Sequence, residues 1–315
     1  MKISQESGVW SLESVRSLFL FVLLSFSCFA DYSEGVCGAT FLKINSLPRP
    51  VSLGGAFSAV SDDLSALYYN PAGLSQLKVP EGVASAASWI DKTKFGIIGY
   101  CSPISENSGF GLSVLYLKTD KIPLYKDVDT SQSGEFFDAM DLSIRIGYGM
   151  RLTRSNYFGI VGGWINQRIE EEKSHSFFFD IGELYKPKSL DKMAFSIVLQ
   201  NLGGKTKFIE EEDEMPLTLK VGFAYFPIEK IIFSLDFVKP KDNNYQIRYG
   251  FEWGANKNLT LRTGFNSQVF KDLGVGITGG FGIRINTFNL NYSYVPYSFL
   301  GETHNLSLTT HFGRN

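Results

Sequence analysis

The chain has 315 residues, of which 44% are apolar and 15% aromatic, with 31 glycines and a net charge of -2. A pI near 6.0 excludes the strongly basic field that nucleic-acid binding uses. A mean hydropathy of -0.02 with so much Gly and aromatic character fits a large β protein, including a barrel that is apolar outside and polar inside.

The N-terminus reads as an export signal. Lys2 and Arg16 precede SLFLFVLLSFSCFA, an apolar run too short to span a bilayer, and Cys28 and Ala30 stand at the -3 and -1 positions of a cut before Asp31. Residues 1–30 are therefore expected to be a signal peptide, although Glu6 and Glu13 make its first part untidy. Leu24 lies one residue too far upstream of Cys28 for a lipobox. No apolar stretch of about 18 residues follows, so no transmembrane helix is expected after it.

Residues 54–74, GGAFSAVSDDLSALYYNPAGL, break with everything after them. Gly54 and Gly55 permit unusual φ values and close backbone approach. Ser61 or Asp62 can cap a short helix through Leu64–Tyr69. Asn70 cannot easily stay helical before Pro71, but it can cap a second turn with Pro71 in first position. Such a compact unit suits the lumen of a wide barrel, so residues 31–80 are read as a hatch, or plug.

From residue 81 the chain alternates. In MDLSIRIGYGMRL, 140–152, Met140, Leu142, Ile144, Ile146, Tyr148, Met150 and Leu152 share one strand face, opposite Asp141, Ser143, Arg145, Gly147, Gly149 and Arg151. LTLKVGFAY (217–225), YQIRYGFEW (245–253) and FNLNYSY (288–294) repeat the pattern. The polar faces favour Gly, Ser, Asn and Arg over Lys and Glu, as a confined lumen would.

Fourteen strands are expected, near 81–90, 93–102, 108–118, 138–153, 156–168, 174–186, 190–201, 216–226, 230–239, 243–254, 257–266, 273–285, 286–296 and 302–312. Connections after even strands are short: 153–156, 186–189, 227–229 and 254–258. Those after odd strands include the long ones, 119–136 and 203–216. Short periplasmic turns against longer outer loops are the outer-membrane pattern. HNLSLTTHF, 304–312, closes on an aromatic, although Gly313, Arg314 and Asn315 follow it. The expected fold is thus all-β: a 14-stranded antiparallel transmembrane barrel over 81–315 with a small N-terminal helical hatch.

FLKINSLPRPVSLGGAFSAVSDDLSALYYNPAGL, 41–74, resembles the N-terminal signature of the PorV/PorQ family within the FadL-like outer-membrane superfamily. FSIVLQNLGG (195–204), Pro216-Leu217, LRTGF (261–265) and LGETHNLSL (300–308) fit the same family. The resemblance covers roughly residues 40–312, and NPAGL is its most specific part. The hatch motif comprises Gly54, Gly55, Asp62, Asp63, Asn70, Pro71 and Gly73. The resemblance implies passive passage of hydrophobic compounds such as long-chain fatty acids. Its alternative is a PorV-like component of type IX secretion that binds exported proteins. Outer-membrane lipid and lipopolysaccharide are the expected surroundings.

No catalytic pattern emerges. GVGITG, 274–279, satisfies G-x-G-x-x-G but continues into strand-like GFGIRINTF, so glycines on a lumen-facing strand explain it better than a nucleotide site. His175, His304 and His311 lack ligand spacing, so neither a metal nor a cofactor is expected. The acidic runs Glu170–Glu172 and Glu210–Glu214 fall in expected outer loops, as solvated charge or as sites for cations that bridge lipopolysaccharide. Arg145, Arg151, Lys220, Asp236, Arg248, Glu252, Arg262 and Arg284 should face the lumen, because a charge in mid-membrane costs roughly 2–4 kcal/mol. Either they grip a carboxylate headgroup, or they form a salt-bridged network pinning the hatch through Asp62 or Asp63. Cys101 should lie at the inner end of the second strand, and a nearby Cys37 could staple hatch to wall by a disulfide.

Overall fold

A computed structural model of the chain describes residues 37–89, 93–125 and 132–313. The expected signal peptide and residues 31–36 of the hatch lie outside them, as do 126–131 of the long loop and the last two residues. Fourteen strands close into one antiparallel barrel. They are β1 (Glu81–Ser88), β2 (Lys94–Ser105), β3 (Ser108–Tyr125), β4 (Gln132–Arg151), β5 (Asn156–Ile169), β6 (Glu172–Tyr185) and β7 (Met193–Gly203). A two-stranded hairpin, β8 (Lys205–Lys207) and β9 (Glu212–Glu214), forms a separate sheet that rests on β6, where the Lys207 amide donates to the Ser174 hydroxyl at 3.0 Å. The barrel resumes with β10 (Thr218–Ile228), β11 (Ile231–Pro240), β12 (Gln246–Gly254), β13 (Leu259–Asn266), β14 (Ile277–Ile285), β15 (Phe288–Pro296) and β16 (Glu302–His311). β1 pairs with both β2 and β16, which leaves no free edge.

The alternation has the inverted sense. Along β4, Ser143, Arg145, Gly147 and Gly149 are buried inside, while Ile144, Ile146 and Tyr148 point outward. Ile146 is 66% exposed and Arg145 only 3%. Outward-facing Phe177, Phe179, Phe233, Phe237, Tyr249, Trp253, Leu306 and Leu308 continue the apolar exterior around the barrel. The hydrophobic core lies instead between the hatch and the inner wall, where Phe57, Leu64, Leu67 and Leu74 meet Phe95, Ile97, Leu115, Val161, Ile165 and Phe178.

Three expectations are corrected. The 119–136 connection is mostly wall, since β3 runs on to Tyr125 and β4 begins at Gln132. The 203–216 connection carries the β8–β9 hairpin. Residues 267–273 form a helix, so the strand expected from 273 starts only at Ile277: Asn266 accepts from the Gln268 amide at the helix start, and Gly274 ends it at φ 75°. The first glycine of GVGITG is thus a helix stop, and its last residues enter β14.

Candidate functional site

The hatch descends through the lumen. Its chain enters at the long-loop end, where the Gly38 amide donates to the Glu214 carbonyl beside β9. It leaves at the short-turn end, where β1 starts. On the way it forms two short helices, Pro48–Ser52 and Ala66–Tyr69, and the tight turn Pro71–Gln76. Asn70 adopts an extended conformation and accepts from the Ala72 amide, with Pro71 in first position. Its side-chain amide also donates to the Ser58 carbonyl at 2.9 Å and to the Glu183 carbonyl of the wall at 3.1 Å. One side chain therefore shapes the turn and docks it. The first helix turn differs from expectation: neither Ser61 nor Asp62 caps it, and Asp63 accepts from the Ser65 amide instead.

Glycines on the inner wall admit the hatch at backbone distance. A Cβ at Gly159 would overlap the Pro71 carbonyl, and one at Gly182 would overlap the Asn70 side chain. Gly149 likewise faces Pro71 and Ser75, while Gly264 faces Leu53 and Gly54. Gly54 (φ 66°) and Gly55 (φ 84°) occupy the left-handed region, where a side chain is strained.

Buried charges finish the docking. Asp236 of β11 accepts from the Phe57 and Ser58 amides at 3.2 and 3.0 Å and from the Ser58 hydroxyl at 2.8 Å. Arg145 of β4 pairs with Asp180 of β6 at 2.8 Å and donates to the Leu67 carbonyl at 3.2 Å. Its guanidinium lies between the Tyr68 and Phe178 rings. Arg49 of the hatch pairs with Asp62, Asp63 and Glu252 of β12, and Glu252 pairs in turn with Arg262 of β13 at 2.6 Å.

The hatch separates two cavities. At the short-turn end, about 420 Å³ is lined by Arg49, Asp62, Glu81, Arg262, Arg284 and His311, among others, and is strongly polar. At the long-loop end, about 270 Å³ is lined by Ile44, Tyr69, Trp89, Val238, Val269 and Tyr297, with Lys220 and Arg248 in its wall. Arg248 donates to Asn45 at 3.0 Å and to Gln246 at 2.7 Å, and its Nε is buried without a partner. The Lys220 ammonium lies 5.0 Å from the centre of the Tyr69 ring. Among the described residues neither cation forms an ion pair, although Asp236 stands opposite Arg248 in the wall, so two basic side chains border apolar surface in this pocket.

The eight charges singled out in the sequence thus divide by position. Asp236, Arg145, Glu252 and Arg262 serve the hatch–wall contact, Glu252 and Arg262 through Arg49. Lys220 and Arg248 line the outer pocket, and Arg284 the inner cavity. Arg151 binds the carbonyls of Thr153 and Arg154 in its own turn. Sequence reading missed Arg49 and Asp180. Arg49 sits within the motif-bearing hatch but between two prolines, and Asp180 interrupts the aromatic run FFFD.

The disulfide expectation fails. Cys37 and Cys101 are both free. Cys101 lies near the short-turn end, level with Glu81, whereas Cys37 sits beside Glu214 at the long-loop end. Cys37 thus stands at the opposite rim from Cys101, and the two thiols do not meet.

A 14-stranded barrel closed by an N-terminal hatch is the FadL-like fold, and comparison with solved structures agrees. The Ralstonia pickettii toluene transporter TbuX superposes with a TM-score of 0.63 at 11% identity, over 85% of this chain and 99% of that one. The Pseudomonas putida toluene transporter TodX gives 0.59 at 12% identity, over 90% and 98%. A Pseudomonas aeruginosa FadL homologue gives 0.53 at 11% identity, over 82% and 96%. A family model described as an uncharacterised protein family, UPF0164, matches residues 33–137. No curated protein matches the chain.

Proposed function

We propose that the chain is an outer-membrane channel that passes hydrophobic small molecules without an enzymatic step. The observation that carries this reading is the pair of cavities divided by a docked hatch. Passage then requires only that the hatch shift. The similar barrels include the toluene transporters TbuX and TodX, which supports the class of cargo. The short-turn end faces the periplasm in this reading, and the signal peptide is removed on export.

The outer pocket is the entry site. At about 270 Å³ it falls at the small end of ligand cavities, so it holds one aromatic ring or one segment of a longer chain. Arg248 and Lys220 favour an anionic head on that chain, as in a fatty acid. The PorV-like alternative, binding of exported proteins, predicts protein rather than lipid in the purified barrel. Mass spectrometry of co-purifying molecules tests the choice. Bound apolar or amphiphilic small molecules are expected; a stoichiometric exported protein with no lipid would overturn the proposal.

A further inference from the structure

Four cations on the outward face of the wall fall on one register line. Lys94 of β2 stands opposite Lys118 of β3, Lys118 opposite Met140 of β4, Met140 opposite Arg168 of β5, and Arg168 opposite Lys173 of β6. Side chains alternate across a strand, and the inward neighbours Thr93, Gln167 and Ser174 are buried. Lys94, Lys118, Arg168 and Lys173 therefore share the apolar exterior's face, on the same side as Ile98, Leu112, Ile144, Ile160 and Phe177.

Their height matters. Each lies roughly ten to twelve residues from the short-turn end of its strand, and a tilted strand of about 9–11 residues crosses the hydrocarbon. The row thus stands where the outer hydrocarbon ends and the headgroups begin. The inference rests on the membrane-spanning reading proposed above.

The charge is only partly answered within the protein. Lys94 and Lys118 both reach Asp120, at 3.1 and 2.7 Å, and Arg168 reaches Asp138 at 2.6 Å. Four cations share two carboxylates along the line, while Glu170 and Glu171 occupy the β5–β6 turn beyond it and Glu172 opens β6 on the inward-facing side of the strand. These ion pairs are half exposed and contribute little by themselves. An apolar band topped by a row with surplus positive charge complements a lipid that carries acyl chains below and a phosphate above.

We propose that the β2–β6 face is a binding surface for the phosphate-bearing headgroup of an anionic lipid in the outer leaflet. Lys94, Lys118, Arg168 and Lys173 are its contacts, and Asp120 and Asp138 offset part of their charge.

The test is native mass spectrometry of the full detergent-solubilised barrel, titrated with phosphatidylglycerol or phosphatidylcholine of identical acyl chains. The wild type should retain phosphatidylglycerol preferentially. Replacing all four cations by Gln should reduce that preference roughly tenfold or more while leaving phosphatidylcholine adducts unchanged. Asp120→Asn with Asp138→Asn should strengthen it. Inorganic phosphate, lacking the chains, should not displace the lipid. Equal retention of the two lipids by the wild type, an undiminished preference in the four-Gln variant, or displacement by inorganic phosphate would overturn the proposal. A heat-dependent gel shift checks that each variant still forms the barrel. Failure of the shift in the wild type would count against the barrel reading itself.

Discussion

The guanidinium of Arg49 meets the carboxylate of Glu252 at 2.9 Å, joining residues 203 positions apart in sequence. Arg49 also holds Asp62 and Asp63, and Glu252 also holds Arg262. Arg49 is therefore one of the ties between hatch and wall, beside those through Asp236, Arg145 and Asn70. Arg49→Ala leaves Asp62 and Asp63 without their cation while Arg262 still answers Glu252. Breaking a mostly buried pair costs about 3–5 kcal/mol; Asp62 is partly exposed, so the lower end applies. Hydrogen exchange should rise over residues 48–76 with the barrel strands unchanged. Exchange unchanged in the hatch would remove Arg49 from this role.

Asn70 offers a second handle. Asn70→Ala removes two donated bonds and the cap on the Ala72 amide. Leaving the Ser58 and Glu183 carbonyls unanswered should cost about 1–3 kcal/mol of hatch docking. Single-channel recordings in planar bilayers should show more frequent openings than wild type.

Gly159→Val tests the wall from the other side. The added side chain would overlap the Pro71 carbonyl, and overpacking of this kind costs about 1–3 kcal/mol. The hatch, not the wall, should yield. Protease sensitivity of the hatch is expected to rise while the heat-modifiable barrel band persists.

Arg248 and Lys220 separate charge recognition from apolar fit. Arg248→Gln should weaken dodecanoate binding roughly tenfold, from loss of a charge-assisted contact of about 1.5–3 kcal/mol. Dodecanol binding should hold. Calorimetry on the detergent-solubilised barrel measures both. Equal loss for the two ligands would point to a collapsed pocket instead.

The thiols give a simpler check. Mobility should be identical with and without reductant, because the two cysteines stand at opposite rims. Burial pushes the Cys37 thiol up to about 11, so it stays protonated at neutral pH and should alkylate slowly there, faster as the pH rises. Denaturation should expose two reactive thiols.

The wall was legible because a β-strand writes its two environments in alternate letters, and both environments here are extreme. MDLSIRIGYGMRL carries the inside-out barrel nearly alone. The hatch was legible through NPAGL, whose Asn and Pro have few other uses in that order. What escaped is what does not alternate or repeat. β3 extends through KIPLY, where Pro123 argues against a strand interior, and only the long β4 partner makes it wall. The β8–β9 hairpin lies in a charged loop with no apolar face to announce it. Arg49 could not be assigned because its partner Glu252 is distant in sequence, and only closure of the barrel brings them together.

Spin labels at four successive positions of β16 test the central inversion most directly. In a chain with Cys37 and Cys101 replaced by Ser, Leu306, Ser307, Leu308 and Thr309 are labelled one at a time through cysteine and placed in lipid vesicles. Labels at Leu306 and Leu308 should relax with oxygen dissolved in the hydrocarbon. Labels at Ser307 and Thr309, which line the inner cavity, should respond to a water-soluble nickel chelate. The leucine labels decide: if Leu306 and Leu308 were shielded from oxygen and nickel alike while nickel still reached Ser307 and Thr309, the strand would belong to a sandwich with a buried apolar core, contradicting an apolar face turned to lipid.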